Sequence, residues 1–216
     1  DQHPTLVGGS AASYADSQFG IERALPWAAG WVLLATLLLL FLFTGSVILP
    51  IKAVLLNVLS LGATLGFVTW VFAEGHLQSV IGEFSVTGTI DTSSTVLIAV
   101  IAFGLSMDYE LFLLSRIKEQ HDAGSSTIDS VALGLQRSGR IITAAALVLA
   151  VTFIAFVSSG ISIMKMLGLG IAFAIILDAT VVRGLLVPAL MRLFGDLNWW
   201  APKWMKRIYR KLGLTH

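Results

Sequence analysis

The chain has 216 residues, of which 56% are hydrophobic and only 12% are charged, whereas soluble domains carry charges at about 25% of their positions. A formal net charge of +1 argues against a nucleic-acid partner, and the lack of cysteine excludes disulfides, thiolate metal sites and a sulfur nucleophile. The composition therefore predicts a membrane protein.

The N-terminal segment, residues 1–22, is polar and rich in small residues. It has neither the basic region nor the apolar region of a signal peptide, and it does not begin with methionine. We expect it to be the end of an extracytoplasmic domain or linker, with further residues of the protein upstream of Asp1.

Five apolar segments follow, each close to the length of about 20 residues that a helix needs to cross the hydrocarbon core. They comprise residues 27–49, 53–73, 92–115, 141–159 and 162–182. Pro50 and Lys52 interrupt the first run, which predicts a tight hairpin there, and residues 74–91 contain three acids and three glycines, as expected of a loop. The sequence thus predicts an all-α protein with five transmembrane helices within residues 23–195.

Lysine and arginine are concentrated on one side of this path, which the positive-inside rule assigns to the cytoplasm. They include Lys52, Arg116, Lys118, Arg137, Arg140 and the seven basic residues from Arg183 onward. The opposite side has only Arg23 and Lys165, and we expect the long stem of Lys165 to reach water there. Residues 1–22 and 74–91 are therefore predicted to be extracytoplasmic, with the C-terminus in the cytoplasm and the protein in the plasma membrane.

Two segments on the basic side have helical patterns. In residues 116–140, Ile128, Val131, Ala132 and Leu135 lie at helical spacing after the candidate N-caps Ser125, Ser126 and Thr127, which predicts a helix along the inner surface. Residues 196–216 contain three tryptophans and five cations over 199–211, a composition typical of an interfacial helix. We interpret this segment as a cytoplasmic amphipathic tail rather than a specific lipid site.

Asp108, Tyr109 and Glu110 lie in succession inside the third predicted helix. Asp108 is seven residues before the end of that helix, about 10 Å deep, where an ionised carboxylate costs at least about 2.5 kcal/mol. It therefore needs a partner, water or a proton. Tyr109 can hydrogen-bond a carboxyl on a neighbouring helix, and Gly104, one turn earlier, lets that neighbour approach closely. We predict a proton-relay site at Asp108 and Tyr109; the alternative is that Asp108 only pins helices together.

Four further residues are assigned accessory roles together with Gly104. Glu110, two positions after Asp108, points to a different helix face, and Ser106 lies on the same helix. Asp178 and Arg183 are five residues apart, which in an α-helix places them off one another's face. Each is therefore expected to find a partner elsewhere, in structural ion pairs.

Motifs for other energy sources and chemistries do not occur. The sequence has no G-x-x-x-x-G-K-[ST] phosphate loop and no G-x-S-x-G elbow, and its four histidines are scattered without ligand spacing. We expect no enzymatic activity, no metal and no cofactor, and we expect protons to be the coupling ion.

Four blocks, residues 103–119, 139–156, 177–195 and 198–207, together resemble the C-terminal membrane half of the MmpL family of the resistance-nodulation-division superfamily. The resemblance implies helices eight to twelve of a twelve-helix bundle, preceded by the end of a porter domain in residues 1–22. It also implies that Asp108 and Tyr109 form half of a proton relay, where small-molecule inhibitors lodge. The other Asp-Tyr pair would be supplied by the N-terminal half of the same transporter.

Members of this family export lipids, and the C-terminal tail is most similar to members that move trehalose monomycolate. The resemblance therefore implies a proton-driven lipid exporter that contacts membrane lipids and a lipid substrate. One alternative is a drug or siderophore exporter of the same superfamily. Another is a non-transporting scaffold or sensor in which Asp108 is permanently protonated.

Overall fold

A computed structural model describes residues 8–86 and 88–211, and within this part the chain is helical throughout its ordered elements, without a strand. Five helices among these residues are long and apolar enough to cross a membrane, as predicted. The helices are α1 (Ser10–Thr44), α2 (Ile48–Val68), the short α3 (Gln78–Ile81), α4 (Thr92–Asp122), α5 (Thr127–Ala155), α6 (Ser162–Leu177), α7 (Val187–Phe194) and α8 (Lys203–Lys211). Residues 1–7 of the predicted extracytoplasmic segment and 212–216 of the predicted tail lie outside the described residues.

The hairpin between α1 and α2 is formed by residues 45–47, so the prediction that Pro50 and Lys52 separate the first two spans was wrong by about five residues. Gly45 adopts the left-handed conformation, with φ +70°, and its N–H donates to the Phe41 carbonyl, which ends α1. Pro50 lies in the first turn of α2, where its missing N–H has no helical partner to lose. At its other end α1 starts at Ser10, so residues 10–22 continue the first membrane helix.

The predicted helix within residues 116–140 exists, but it is not a separate surface element. Helix α4 continues to Asp122 and α5 begins at Thr127, with Ser126 as N-cap accepting from the Asp129 N–H at 3.2 Å. Val131 packs in the same core cluster as Ile117 of α4. Because both membrane helices extend beyond the apolar runs, the segment is a helical hairpin. Of its predicted apolar face, Val131 and Leu135 pack in the bundle, whereas Ile128 and Ala132 are exposed.

Helix α4 lies centrally and packs against α1, α2, α5 and α6. One apolar cluster, which includes Leu113 and Met191, occupies the end of the bundle near the α1–α2 hairpin, and a second, which includes Val68 and Ile98, occupies the opposite end. In lipid, apolar side chains gain little by leaving the hydrocarbon, so close packing and polar contacts hold such helices together. Between the two clusters lie the buried polar residues described below.

The fifth membrane helix is not α-helical throughout. Between α6 and α7, Asp178–Leu186 forms a π-helical segment, in which hydrogen bonds run from i to i+5 instead of i to i+4. After α7, a tight turn at Gly195–Trp199 leads to α8, whose Tyr209 ring packs edge-on to Phe41 of α1 at 6.2 Å. This contact holds the amphipathic helix α8 against the end of α1 that leads into the α1–α2 hairpin.

At the opposite end of the bundle, Asp91 is the N-cap of α4 and accepts from the Ser94 N–H at 2.8 Å. Tyr14, in the extension of α1, donates its hydroxyl to the same carboxylate at 2.9 Å, which connects α1 with the start of α4. Lys165 does not reach water as expected: it is 7% exposed and donates to the carbonyls of Ile81 and Glu83 at 2.9 and 3.0 Å. Its ammonium group satisfies loop carbonyls that would otherwise lack donors.

Candidate functional site

Asp178 and Arg183 pair directly with each other, so the prediction that each finds its partner elsewhere was wrong. The Arg183 Nη2 donates to Asp178 Oδ2. Both residues are buried, with Arg183 1% exposed and Asp178 4% exposed. The wider turn of the π-helical segment places residues five apart on the same face, which an α-helix does not do. The predicted ion pairing is present, but within one element.

Ser106 of α4 completes this pair from the neighbouring helix. Its hydroxyl donates to Asp178 Oδ1 at 2.8 Å, and its carbonyl accepts from Arg183 Nη2 at 2.8 Å. The arginine guanidinium also lies 4.8 Å from the centre of the Tyr109 ring, a cation–π contact. The Tyr109 ring is therefore held against a fixed positive charge.

Glu110 faces the interior of the bundle and is 6% exposed, whereas Asp108 is exposed on the outside. The prediction that the two acids point to different faces is confirmed. Glu110 Oε2 lies 4.0 Å from Arg183 Nε. The Nε and Nη1 groups of Arg183 are buried and have no hydrogen-bond partner among the described residues. Glu110 lines a small, partly open cavity of about 10 Å³, which Lys52 also lines.

Sequence reasoning assigned no site role to Lys52 or to Asn198. The Lys52 ammonium donates to Asn198 Oδ1 and lies 4.8 Å from the centre of the Phe194 ring. Asn198 is fully buried and donates to the Met191 carbonyl at 2.7 Å. The available signal was a single lysine between two long apolar runs, which was interpreted as part of a hairpin and as a cytoplasmic positive charge.

Asp108 and Gly104 are not part of this buried network. Both lie on an exposed stripe of α4 that also contains Ser93, Leu97 and Val100, at spacings of three and four residues. Asp108 makes no hydrogen bond or ion pair with the residues that the structure describes, and a Cβ at Gly104 would meet no atom within 4 Å. The close neighbour expected at Gly104 is therefore not supplied by the described part of this chain.

The buried residues Glu110, Asp178 and Arg183 form, together with the partly exposed Lys52, a charge-balanced group of two acids and two cations. Within the described ranges, no three histidine, aspartate or glutamate side chains are close enough together to hold a metal ion. The arrangement can keep carboxylates ionised in apolar surroundings, and it can exchange a proton where a carboxyl is not fully hydrogen-bonded.

Five apolar helices around such a network define a multi-pass membrane protein with ionisable groups in its interior. The chain belongs to the MMPL family, whose model matches residues 3–214. It is 46% identical over 210 residues to the trehalose monomycolate exporter MmpL3 of Mycobacterium tuberculosis, which covers 97% of this chain and 22% of that protein.

Two further relatives have similar coverage. The membrane protein SCO6666 of Streptomyces coelicolor is 48% identical, with 98% of this chain and 30% of that protein covered. The mycolic acid-containing lipids exporter MmpL11 of Mycolicibacterium smegmatis is 41% identical, with 96% and 22% covered. The chain thus spans less than a third of the length of these relatives.

Proposed function

We propose that this chain is the C-terminal membrane part of a proton-driven exporter of mycolic-acid-type lipids, with trehalose monomycolate as the first substrate to test. The names of two relatives support a lipid substrate, since one is a trehalose monomycolate exporter and the other exports mycolic acid-containing lipids. The name of the SCO6666 relative states no substrate, so the lipid class has to be established by experiment.

The observation that carries the relay proposal is the position of Asp108 on the uncovered face of α4. An aspartate at this depth is costly when it faces lipid, and Gly104 on the same stripe leaves room for a helix at close distance. We infer that another part of the transporter, its N-terminal half, covers this stripe. A complementary Asp-Tyr pair on that half would then face Asp108 and Tyr109.

Protonation of Asp108 removes its charge and changes how strongly α4 is drawn to groups on the covering helix. Tyr109, whose ring is fixed beside Arg183, would donate its hydroxyl to the carboxylate of the other half. The membrane potential provides about 2.3 kcal/mol per charge per 100 mV for such a cycle. Movement of α4 would reach α1 through the hydrogen bond between Tyr14 and Asp91.

The basic end of the bundle, where α8 and the α1–α2 hairpin lie, would face the cytoplasm according to the positive-inside rule. In this orientation the protein is in the plasma membrane, and Tyr14 and Asp91 are on the extracytoplasmic side. Trp200 and Trp204 then lie at the level of the inner head groups. Their side chains are free to do so because they are 50% and 63% exposed.

The relay is tested with Asp108→Asn and Tyr109→Phe in the full-length transporter, expressed in cells depleted of the native protein. Asp108→Asn keeps the size of the side chain but cannot ionise, so the variant should accumulate normally and export no lipid. Tyr109→Phe removes one hydroxyl and should impair export strongly, because a buried carboxyl then lacks a hydrogen bond. Glu119→Gln, an exposed acid on the same helix, is the matched control and should export normally.

Normal lipid export by Asp108→Asn would refute the relay and leave the scaffold interpretation, in which a neutral residue at this position is sufficient. A purified transporter that moves protons but not trehalose monomycolate or mycolic-acid lipids would favour the second candidate, a drug or siderophore exporter of the same superfamily.

A further inference from the structure

Lys52 and Glu110 line the same small, partly open cavity at the basic end of the bundle. The cavity has a volume of about 10 Å³ and is otherwise lined by apolar side chains of α2, α4 and α7. That volume is about the minimum that holds one water molecule, and a water needs polar groups to bind. Lys52 and Glu110 provide them.

The hydrogen bonding of Glu110 is incomplete in the structure. Its closest cation, the Arg183 Nε, is 4.0 Å away, beyond hydrogen-bond distance, and this Nε–H has no acceptor among the described residues. Asp178, by contrast, is bonded by both Ser106 and Arg183. Of the two buried acids, Glu110 is the one whose carboxyl is free to bind a proton or a water.

Lys52 connects this site with the edge of the membrane. It is the fifth residue of α2, about 7 Å from the start of the helix, and its side chain is partly exposed. Its ammonium group is bound to Asn198, in the turn that leads to α8. Asn198 and Lys52 therefore place polar groups between the basic end of the bundle and the cavity that Glu110 also lines.

We propose that Glu110, Lys52 and a water in the cavity between them form a second proton-exchange site, through which protons pass between the bundle interior and the basic end. This inference rests on the proposed proton-driven function, but it concerns a different helix face from that of Asp108. Asn198 is a positioning residue that holds the Lys52 ammonium at the cavity.

The exchange step is a simple proton transfer. Glu110 in its carboxylic acid form gives its proton to the cavity water, the resulting hydronium passes it to bulk water at the basic end, and the carboxylate left behind faces Lys52 and Arg183. Uptake is the reverse. The charged or titratable groups around Glu110 are Lys52 from α2, Arg183 and Asp178 from the π-helical segment, and Asp108 and Tyr109 from α4 itself. Arg183 stays charged throughout.

A purely structural ion pair is the competing explanation, and charge-balanced variants separate it from proton exchange. Glu110→Gln alone leaves two cations opposite one acid, and Lys52→Met alone leaves two acids opposite one cation. The double variant removes both charges, so it should recover the amount of folded protein if either single variant lowers it. Glu119→Gln is again the matched control on the same helix.

Each variant is made in the full-length transporter and reconstituted in proteoliposomes that contain a pH-sensitive dye, and proton flux is measured under an imposed pH gradient. We expect Glu110→Gln and the double variant to reduce the flux at least about tenfold, with Glu119→Gln unchanged. Flux in the double variant equal to that of the wild type would overturn the proposal, because folding without either charge would then be sufficient.

A second measurement uses the unaltered transporter and therefore does not depend on the folding of variants. Dicyclohexylcarbodiimide enters apolar sites and modifies carboxyls in their protonated form, and peptide mass spectrometry locates the adduct. We expect an adduct at Glu110 that increases as the pH is lowered, and its absence would contradict a protonated Glu110. If Asp108→Asn abolishes proton flux while Glu110→Gln does not, this inference fails and the proposed function stands; if neither variant changes the flux, both fail.

Discussion

Replacement of Asp178 by asparagine should reduce the stability of the protein more than the transport rate of each folded molecule. The substitution keeps an oxygen for the Ser106 hydroxyl but presents an amide to Arg183, which is 1% exposed. Removing one partner of a buried ion pair costs about 3 to 5 kcal/mol. Because Arg183 keeps the Ser106 carbonyl at 2.8 Å and has Glu110 at 4.0 Å, we expect a loss near the lower limit, about 3 kcal/mol.

A loss of this size lowers the ratio of folded to unfolded molecules about 100-fold. It is measured as the fraction of full-length protein in detergent that stays monodisperse after heating, with lipid export per folded molecule determined in parallel. Replacing Asp178 by Leu and Arg183 by Met together removes both charges and should recover most of the stability, apart from the cation–π contact with Tyr109, worth about 1 kcal/mol. An Asp178→Asn protein of normal heat stability that exports no lipid would refute this reasoning and assign Asp178 to the relay.

Three further predictions concern a close contact between α5 and α6, the α4–α5 turn and the N-cap of α4. Gly168→Ala would place a Cβ 2.5 Å from the Phe153 carbonyl oxygen. Overpacking costs about 1 to 3 kcal/mol of stability and outweighs a helix-propensity gain of about 1 kcal/mol, so the unfolding temperature should fall. An unchanged unfolding temperature would contradict the close approach of α6 to Phe153. Ala123→Cys, in the α4–α5 turn, should react with an impermeant maleimide in inside-out vesicles but not in intact cells, and labelling of intact cells would reverse the proposed orientation. The Ser94 backbone N–H donates to Asp91 and holds the pKa of that carboxyl below its ordinary 3.8. The ionised carboxylate therefore stabilises the fold at neutral pH, and this stabilisation is lost as the pH falls below 3.8 through the lowered pKa. The stability difference between wild type and Asp91→Asn should shrink in acid, and a constant difference down to about pH 3 would contradict the contact.

The five membrane helices could be predicted because each is an uninterrupted apolar run of sufficient length. Their ends could not, because a polar residue does not end a helix when it lies inside the bundle. Lys52 follows Pro50 and looks like a break, yet the helix includes both, and the chain turns at Gly45 instead. For the same reason, residues 116–140 were predicted to contain a separate surface helix, although they belong to the ends of α4 and α5.

The candidate site was predicted in its residue types but only partly in its geometry. Ser106, Tyr109, Asp178 and Arg183 do come together. Periodicity could not predict the direct ion pair, because a pair five residues apart needs the wider turn of a π-helix, and the prediction assumed an α-helix. The burial of Glu110 and the exposure of Asp108 depend on which helices surround α4. A single sequence does not contain that information, and the segment that we propose to cover Asp108 is not among the described residues.

The π-helical segment between Asp178 and Leu186 contains more residues than an α-helix of the same length would need. Deleting a single residue between the acid and the arginine, such as Ala179, would allow the chain to return to regular α-helix. The wider π-helical turns accommodate the extra residues, so the side chains that follow, such as Met191, would stay close to their places. Asp178 and Arg183 would then be four residues apart, a spacing at which an α-helix also brings two side chains to one face. The same deletion within α6 would instead turn every following side chain by about 100° around the axis. A loss of one residue should therefore be tolerated better in the π-helical segment than in the α-helix that precedes it.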